Sequence, residues 1–207
     1  MVSLLVFRVF TSIIFFQNTP VAMASMSMDL GDLGMQMAEA GVVDIDKIGP
    51  YADINLFNSP QKSHMLVNES NAGSMLNFFW ALGLSNKNII LEEGQMMTVS
   101  EGEPERFAST GGWSLSKSGE VMDYYSAFNF ITLDSEQQKL LEKTAAGIYR
   151  PCCGNSTLFP DCNHGMAMLG MLELMISQGA NEAELNAAAV IMNDLWFPKV
   201  ARSKCSV

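Results

Sequence analysis

The sequence predicts an all-α fold, mainly helical, that forms a compact bundle of about 4–5 helices with long loops. Two capping boxes give the strongest evidence, because an acceptor side chain followed three residues later by Gln or Glu marks the start of a helix. Asp134 is followed by Gln137, and Asn181 is followed by Glu184. The second of these helices is expected to run to about Leu195 before two aromatic residues and a proline end it.

Weaker patterns predict the other elements. Asn71 can cap a helix that runs to about Leu82 and ends at Gly83, since glycine commonly follows the last helical residue. Apolar residues at helical spacing predict another helix within residues 118–129. Glycine, proline and serine throughout residues 85–118 predict a long loop that wraps the core or covers a site, with a brief strand at its Met96-Met97-Thr98-Val99 segment.

The first 24 residues have the composition of a cleaved secretory signal peptide. An apolar run from Leu4 to Phe16 is followed by a proline and then by Ala22-Met23-Ala24, a small-x-small cleavage pattern. The alternative, a retained membrane anchor, requires about 20 consecutive apolar residues, and this run is shorter. We therefore expect the mature protein to be extracytoplasmic, either periplasmic or secreted.

Composition and charge exclude two kinds of partner. The formal net charge is -10 and the isoelectric point is about 4.5, whereas binding to a phosphate backbone requires a surplus of Lys and Arg. After the signal peptide, no stretch has the roughly 18 consecutive apolar residues of a membrane-spanning helix. We expect no nucleic-acid partner and no stable membrane insertion after signal cleavage.

The rest of the chain is predicted to have three parts. Residues 25–70 form a flexible Met-rich N-terminal arm, residues 71–198 form the α-helical domain, and residues 199–207 form a loose tail that contains Cys205. The arm contains two Met-x-Met pairs, and thioether ligands select Cu(I). The alternative, which we favour, is that these methionines are adaptable apolar filler.

Three of the four cysteines and one of the two histidines fall at a loop that joins two C-terminal helices. Cys152, Cys153, Cys162 and His164 match the ligand count of a tetrahedral Cys3His metal site. Ordinary structural zinc sites separate paired cysteines by two to four residues, so the adjacent pair matches that pattern only in part. Two adjacent side chains reach one ion only on an unusual backbone, which Gly154 can supply.

The helix after this loop extends the pattern. Met168 and Met171 lie four and seven residues after His164, so they share its helical face. Thiolate, thioether and imidazole together favour copper, whereas zinc would use the cysteines and the histidine alone. We therefore predict metal ligands at Cys152, Cys153, Cys162 and His164, supplemented by Met168 and Met171, with copper the first choice and zinc the second. Asp161 is expected either to hold the second ring nitrogen of His164 or to cap the helix.

Alternatives to a metal site stay open at this point. In an oxidising compartment Cys162 would pair with Cys152 or Cys153 in a structural disulfide, and the chain would be an interaction module with a protein partner. A thiol-redox protein is the third alternative. No residue is assigned a catalytic or cofactor-binding role, and whether the chain is an enzyme stays open, although binding, storage or delivery of a metal is favoured over catalysis.

The segments Pro151-Cys152-Cys153-Gly154 and Cys162-Asn163-His164-Gly165 resemble a motif of small exported bacterial proteins, in which Pro-Cys-Tyr-Cys-Gly-Cys is followed by His and Cys. The resemblance covers residues 149–166. One cysteine of that motif is missing and the order of His and Cys is reversed. The resemblance implies an exported protein with a cysteine–histidine cluster, and it carries over neither a function nor a ligand.

Overall fold

The computed structural model describes residues 26–61 and 64–198. Helices dominate these ranges, so the predicted mainly α-helical class is confirmed. In chain order the elements are β1 (Met26–Met28), α1 (Leu33–Glu39), α2 (Ile45–Ile48), α3 (Asn55–Asn58), β2 (Met65–Val67), α4 (Ala72–Ser85), α5 (Ile89–Glu92), α6 (Gln95–Val99), α7 (Ser135–Gly147), α8 (Asn163–Ser177) and α9 (Glu182–Trp196). No helix of the described residues is long and apolar enough to cross a membrane.

The two predicted capping boxes are confirmed, and they fix the starts of α7 and α9. Asp134 Oδ1 accepts hydrogen bonds from the backbone of Glu136 and Gln137 at 2.9 Å, and the Gln137 side chain accepts one from the Asp134 N–H. Asn181 and Glu184 form the same reciprocal pair. These contacts satisfy N–H groups that have no partner within a helix, so a local pattern is sufficient to place both starts.

Helix α8 is the centre of the core, and α4 crosses it at two glycines. A Cβ atom on Gly83 would lie 2.1 Å from the carbonyl oxygen of Met166, and one on Gly170 would lie 2.5 Å from that of Phe79. The prediction that Gly83 ends α4 is therefore wrong, because the helix continues to Ser85. Gly83 is required for close approach of two helix backbones.

Two further predictions, of a strand and of a helix, are wrong. The strand predicted at Met96–Val99 is instead part of α6. Within residues 118–129 only one short turn of 3-10 helix forms, at Val121–Asp123. The following backbone instead donates to the end of α4, from Ser126 to Leu84 at 2.9 Å and from Phe128 to Ser85 at 2.9 Å.

The Met-rich segment packs into the domain, which corrects the predicted flexible arm at residues 25–70. β1 and β2 pair in an antiparallel sheet with Met26 opposite Val67. Met28 and Met37 are buried in the common core, because an apolar strand and helix gain more from that burial than from solvent exposure. The predicted signal peptide at residues 1–24 and the predicted tail at 199–207, with Cys205, lie outside the described residues.

The loop from Ile148 to Cys162, called the Cys/His loop below, connects the end of α7 to the start of α8. Residues 85–118 pack against it rather than forming a structureless loop. Ser109 N–H donates to the Asp161 carbonyl at 3.1 Å, and the ring of Phe107 meets that of Phe159 edge-on at 5.2 Å. These contacts hold the Cys/His loop against the body of the domain.

Candidate metal centre

A tight turn presents Cys152 and Cys153 at the surface. The Gly154 N–H donates to the Arg150 carbonyl at 2.9 Å, and the Arg150 N–H donates to the Asn155 carbonyl at 3.1 Å. Gly154 has a φ of +75°, a conformation that non-glycine residues rarely adopt. Gly154 therefore has the unusual backbone that the sequence suggested it could supply, and both thiols are exposed.

Helix α8 fixes the other two candidate ligands. Cys162 is its N-cap residue, and the Cys162 carbonyl accepts the first helical hydrogen bond, from Met166 N–H at 3.0 Å. His164 follows in the first turn. Because both side chains leave from the rigid start of a 15-residue helix, they have less freedom than the cysteines of the turn.

The sulfur atoms of the three cysteines lie close together. Cys152 Sγ lies 3.8 Å from Cys153 Sγ and 3.9 Å from Cys162 Sγ. A zinc–sulfur bond of about 2.3 Å makes the sulfur–sulfur edge of a tetrahedral site about 3.8 Å, whereas a disulfide bond is about 2.05 Å. The spacing therefore fits sulfurs that share a metal ion, and the three cysteines are free thiols.

His164 completes the arrangement. Ligand atoms of Cys152, Cys162 and His164 all lie within 4.8 Å of one another. A second group, with the same mutual spacing, consists of Cys153, Asp161 and Cys162. The structure thus brings together the four Cys and His residues predicted from the sequence, around the shared Cys162 thiol, in a cluster that could hold a metal ion.

Asp161 organises the loop and is a poor candidate ligand. Its Oδ1 accepts from Arg150 Nη2 at 2.7 Å and its Oδ2 accepts from Asn155 Nδ2 at 2.8 Å, so both carboxylate oxygens already have partners. Neither role expected from the sequence is observed. The N-cap position belongs to Cys162, and the carboxylate binds the loop instead of the His164 ring.

Arg150 is a buried cation beneath the cluster, which the sequence reasoning missed. Its residue exposure is 1%, and Nη2 also donates to the Phe159 carbonyl at 2.9 Å. A Cβ atom on Gly165 would overlap the guanidinium, so glycine in the first turn of α8 makes room for it. The available signal was charge, since Arg150 and Asp161 flank Cys152 and Cys153 in an otherwise uncharged stretch.

The imidazole of His164 is held neutral. It packs against the Phe197 ring at a centroid distance of 4.3 Å and against Trp196 at 5.9 Å. Burial, with a smaller contribution from the Arg150 charge, lowers the pKa of His164 to about 4. At neutral pH the ring therefore has an unprotonated nitrogen, which is the form that binds metal.

Cys152 and Cys162 are protonated at neutral pH in the absence of a metal. Although Cys152 is exposed on one side, partial burial first, then the neighbouring Cys162 and Cys153, raise its pKa to about 12. Burial also raises the pKa of Cys162, although the Arg150 charge acts in the opposite direction. A metal ion must therefore displace protons from these two thiols to bind there.

The predicted supplementary ligands lie deeper in the protein. Met168 and Met171 on α8 are both fully buried members of the core. They continue along α8 about one and two turns beyond His164. Their burial is what packing against α4 requires, and a role as ligands stays a prediction. The other histidine, His64, is exposed and belongs to neither cluster.

The fold and this site define a mainly α-helical protein with a Cys/His cluster that could hold a metal ion. Searches against protein-family models, curated proteins and solved structures find no match. The chemistry of the four side chains is accordingly the basis for the functional assignment.

Proposed function

We propose that the chain is an exported metal-binding protein that binds, stores or delivers a soft metal ion, copper as the first choice and zinc as the second. The observation that carries the proposal is the convergence of Cys152 Sγ, Cys162 Sγ and a ring nitrogen of His164 within 4.8 Å. Cys153, at 3.8 Å from Cys152, supplies the fourth donor. Export rests on the composition of residues 1–24.

The donor set supports a soft or borderline metal. Thiolate and imidazole ligands bind Cu(I) and Zn(II), whereas Mg(II) and Ca(II) prefer oxygen. The one nearby carboxylate, Asp161, is already engaged by Arg150 and Asn155. The preference for copper rests on Met168 and Met171, whose thioethers share the α8 face with His164.

The location of the cluster supports binding and transfer of the ion. Cys152 and Cys153 are exposed, so a thiol of an acceptor can approach the bound ion from solvent and replace them one at a time. Cys162 and His164 are half-buried at the start of α8 and would keep the ion in place during the exchange. Delivery to a partner is thus a ligand exchange at the exposed side of the site.

The test is a metal titration of the reduced full chain with Zn(II) and, without oxygen, with Cu(I). We expect one ion per chain, and a loss of at least about tenfold in affinity for His164→Ala, since losing even a residue that only orients a ligand costs about 10- to 100-fold. His64→Ala is the matched control, because that histidine is exposed and outside the cluster. Equal affinities for the two variants, or no stoichiometric binding of either ion, would overturn the proposal.

A further inference from the structure

The thiol cluster can also react with itself. Cys152 Sγ is in contact range of two other sulfurs, at 3.8 and 3.9 Å. A disulfide bond of about 2.05 Å requires one pair to approach by roughly 1.9 Å. A side-chain rotation combined with a small loop shift covers that distance, and no bond of the helix core has to break.

Cys152 and Cys162 are the pair best placed to close. A bond between the adjacent residues Cys152 and Cys153 would form a small strained ring that includes their own peptide bond. Cys162 has no such constraint, because ten positions separate it from Cys152. Cys162 is held at the start of α8, whereas Cys152 lies on the exposed turn that precedes Gly154. The φ of +75° at Gly154 shows where the backbone of this turn has freedom.

We propose that Cys152 and Cys162 are a redox modification site: oxidation joins them in a reversible disulfide that excludes the metal ion. This inference rests on the proposed function, because it describes control of the same site. With a peroxide as oxidant, the two thiols lose two hydrogens and two electrons, one S–S bond forms, the O–O bond breaks, and two waters leave. A dithiol reductant reverses the reaction by disulfide exchange and restores both ligands.

Metal and disulfide compete because they use the same two sulfurs. A sulfur in a disulfide is no longer a thiolate and is not a strong ligand. Closing the bond would therefore leave Cys153 and His164, too few donors to hold the ion. Conversely, a bound ion occupies the electron pairs that would attack the oxidant, so the loaded protein should resist oxidation.

The experiment uses the full chain with Cys205→Ser, which leaves the three clustered cysteines as its thiols. It is treated with hydrogen peroxide at pH 8.5, with and without Zn(II), which is redox-inactive. Cleavage before aspartates gives residues 134–160, with Cys152 and Cys153, and residues 161–193, with Cys162. Mass spectrometry then detects these two peptides joined, and thiol titration counts a loss of two of the three thiols.

Two further variants assign the bond. In the same background, Cys153→Ser should still give the joined peptides, whereas Cys152→Ser should lose most of them. Free zinc at a concentration 100-fold above its dissociation constant leaves about 1% of the sites empty. Formation of the disulfide should therefore slow by about 100-fold. Peroxide added to the loaded protein should release its zinc over hours, and dithiothreitol should restore binding.

The outcomes separate this inference from the proposed function. If zinc binds stoichiometrically but the peptides never join, or join at the same rate with zinc bound, the redox inference is overturned and the metal site stands. If the peptides join but neither zinc nor Cu(I) binds, the proposed function is overturned, and so is the competition between metal binding and disulfide formation. Joining in Cys152→Ser at the rate of the parent would overturn the assignment of the pair.

Discussion

Nη2 of Arg150 donates to Oδ1 of Asp161 at 2.7 Å, and this ion pair joins the two ends of the Cys/His loop. Arg150 precedes the cysteine pair by two residues, and Asp161 precedes Cys162 by one. The Arg150 side chain is 0% exposed and that of Asp161 is 22% exposed. The pair thereby brings the turn that carries Cys152 to the start of α8. If the pair is broken, the buried Arg150 charge is left without its partner.

Asp161→Asn should therefore destabilise the protein. Asparagine keeps the shape but removes the charge that compensates the buried Arg150 guanidinium, and losing one member of a buried pair costs about 3 kcal/mol. The free energy of unfolding, measured with urea, reports the change. Metal affinity should fall in parallel, because the turn and α8 lose their connection.

Glu136→Gln is the matched control for this variant. The Lys139–Glu136 pair has the same 2.7 Å separation, but its side chains are 70% and 81% exposed. Surface pairs contribute about 0–1 kcal/mol. Equal effects of Asp161→Asn and Glu136→Gln would show that the buried pair does not organise the loop.

Gly83→Ala should be strongly destabilising, by about 3 kcal/mol. The added methyl group would lie 2.1 Å from the Met166 carbonyl oxygen, and backbone cannot move aside as a flexible side chain can. Thermal or urea unfolding measures the loss.

Gly73→Ala in the same helix is the control for Gly83→Ala. No atom lies within 4 Å of the position of its Cβ, so alanine should be neutral or stabilising by about 0.5 kcal/mol. A tolerated Gly83→Ala would contradict the close crossing of α4 and α8.

Metal affinity should rise steeply with pH. The pKa of Cys152, raised to about 12, and the raised pKa of Cys162 mean that each bound thiolate releases a proton at neutral pH. The logarithm of the apparent affinity should then rise by about one per pH unit for each thiolate ligand. His164, with a pKa lowered to about 4, should add no inflection between pH 5.5 and 8. Competition with a chromophoric chelator at several pH values measures the slope.

The Cys153→Ser variant tests which thiols contribute to that slope. Two thiolates, Cys152 and Cys162, remain, so the slope should fall by about one unit if Cys153 is a ligand. An unchanged slope would exclude Cys153 from the site. A bend near pH 6.5 in the parent protein would show that the His164 ring is not held neutral.

Glu173 should make the protein less stable as pH rises. This α8 carboxyl is fully buried; Asn88 Nδ2 donates to its Oε1 at 2.7 Å, and among the described residues no cation pairs with it. Burial raises its pKa well above the ordinary value, although Asn86 and Asn88 oppose this. Above about pH 4.3 the unfolded chain loses this proton and the folded state keeps it. The free energy of unfolding therefore falls with pH, by up to about 1.4 kcal/mol per unit.

Glu173→Gln removes this titration. Whatever its value at pH 5, the free energy of unfolding of the variant, measured with urea, should increase relative to that of the parent progressively up to pH 8. The exposed Glu136→Gln serves again as control, and its difference from the parent should stay constant. Parallel pH profiles for Glu173→Gln and the parent would mean that the buried carboxyl has an ordinary pKa.

Local sequence patterns alone specify the starts of two helices and the candidate cluster. The starts of α7 and α9 follow from Asp134 with Gln137 and from Asn181 with Glu184, because capping satisfies backbone groups within a few residues. The cluster was likewise visible as rare thiols and an imidazole in a short span. Cys152, Cys162 and His164 are brought together by a single loop and the helix that follows it, and short separation along the chain makes such convergence readable.

Only the tertiary structure decided what depends on distant residues. Gly83 matches a helix end in sequence, yet it lies at the crossing with Gly170. Likewise, Phe128 matches a helical stripe, but its N–H bonds to the end of α4. Around the cysteines, residue type alone indicates soft donors. The spacing of the thiols, their pKa values and the neutral state of His164 depend on packing around the loop. Arg150, Asp161 and the aromatic end of α9 supply that packing, and no local pattern specifies the burial and charge that result.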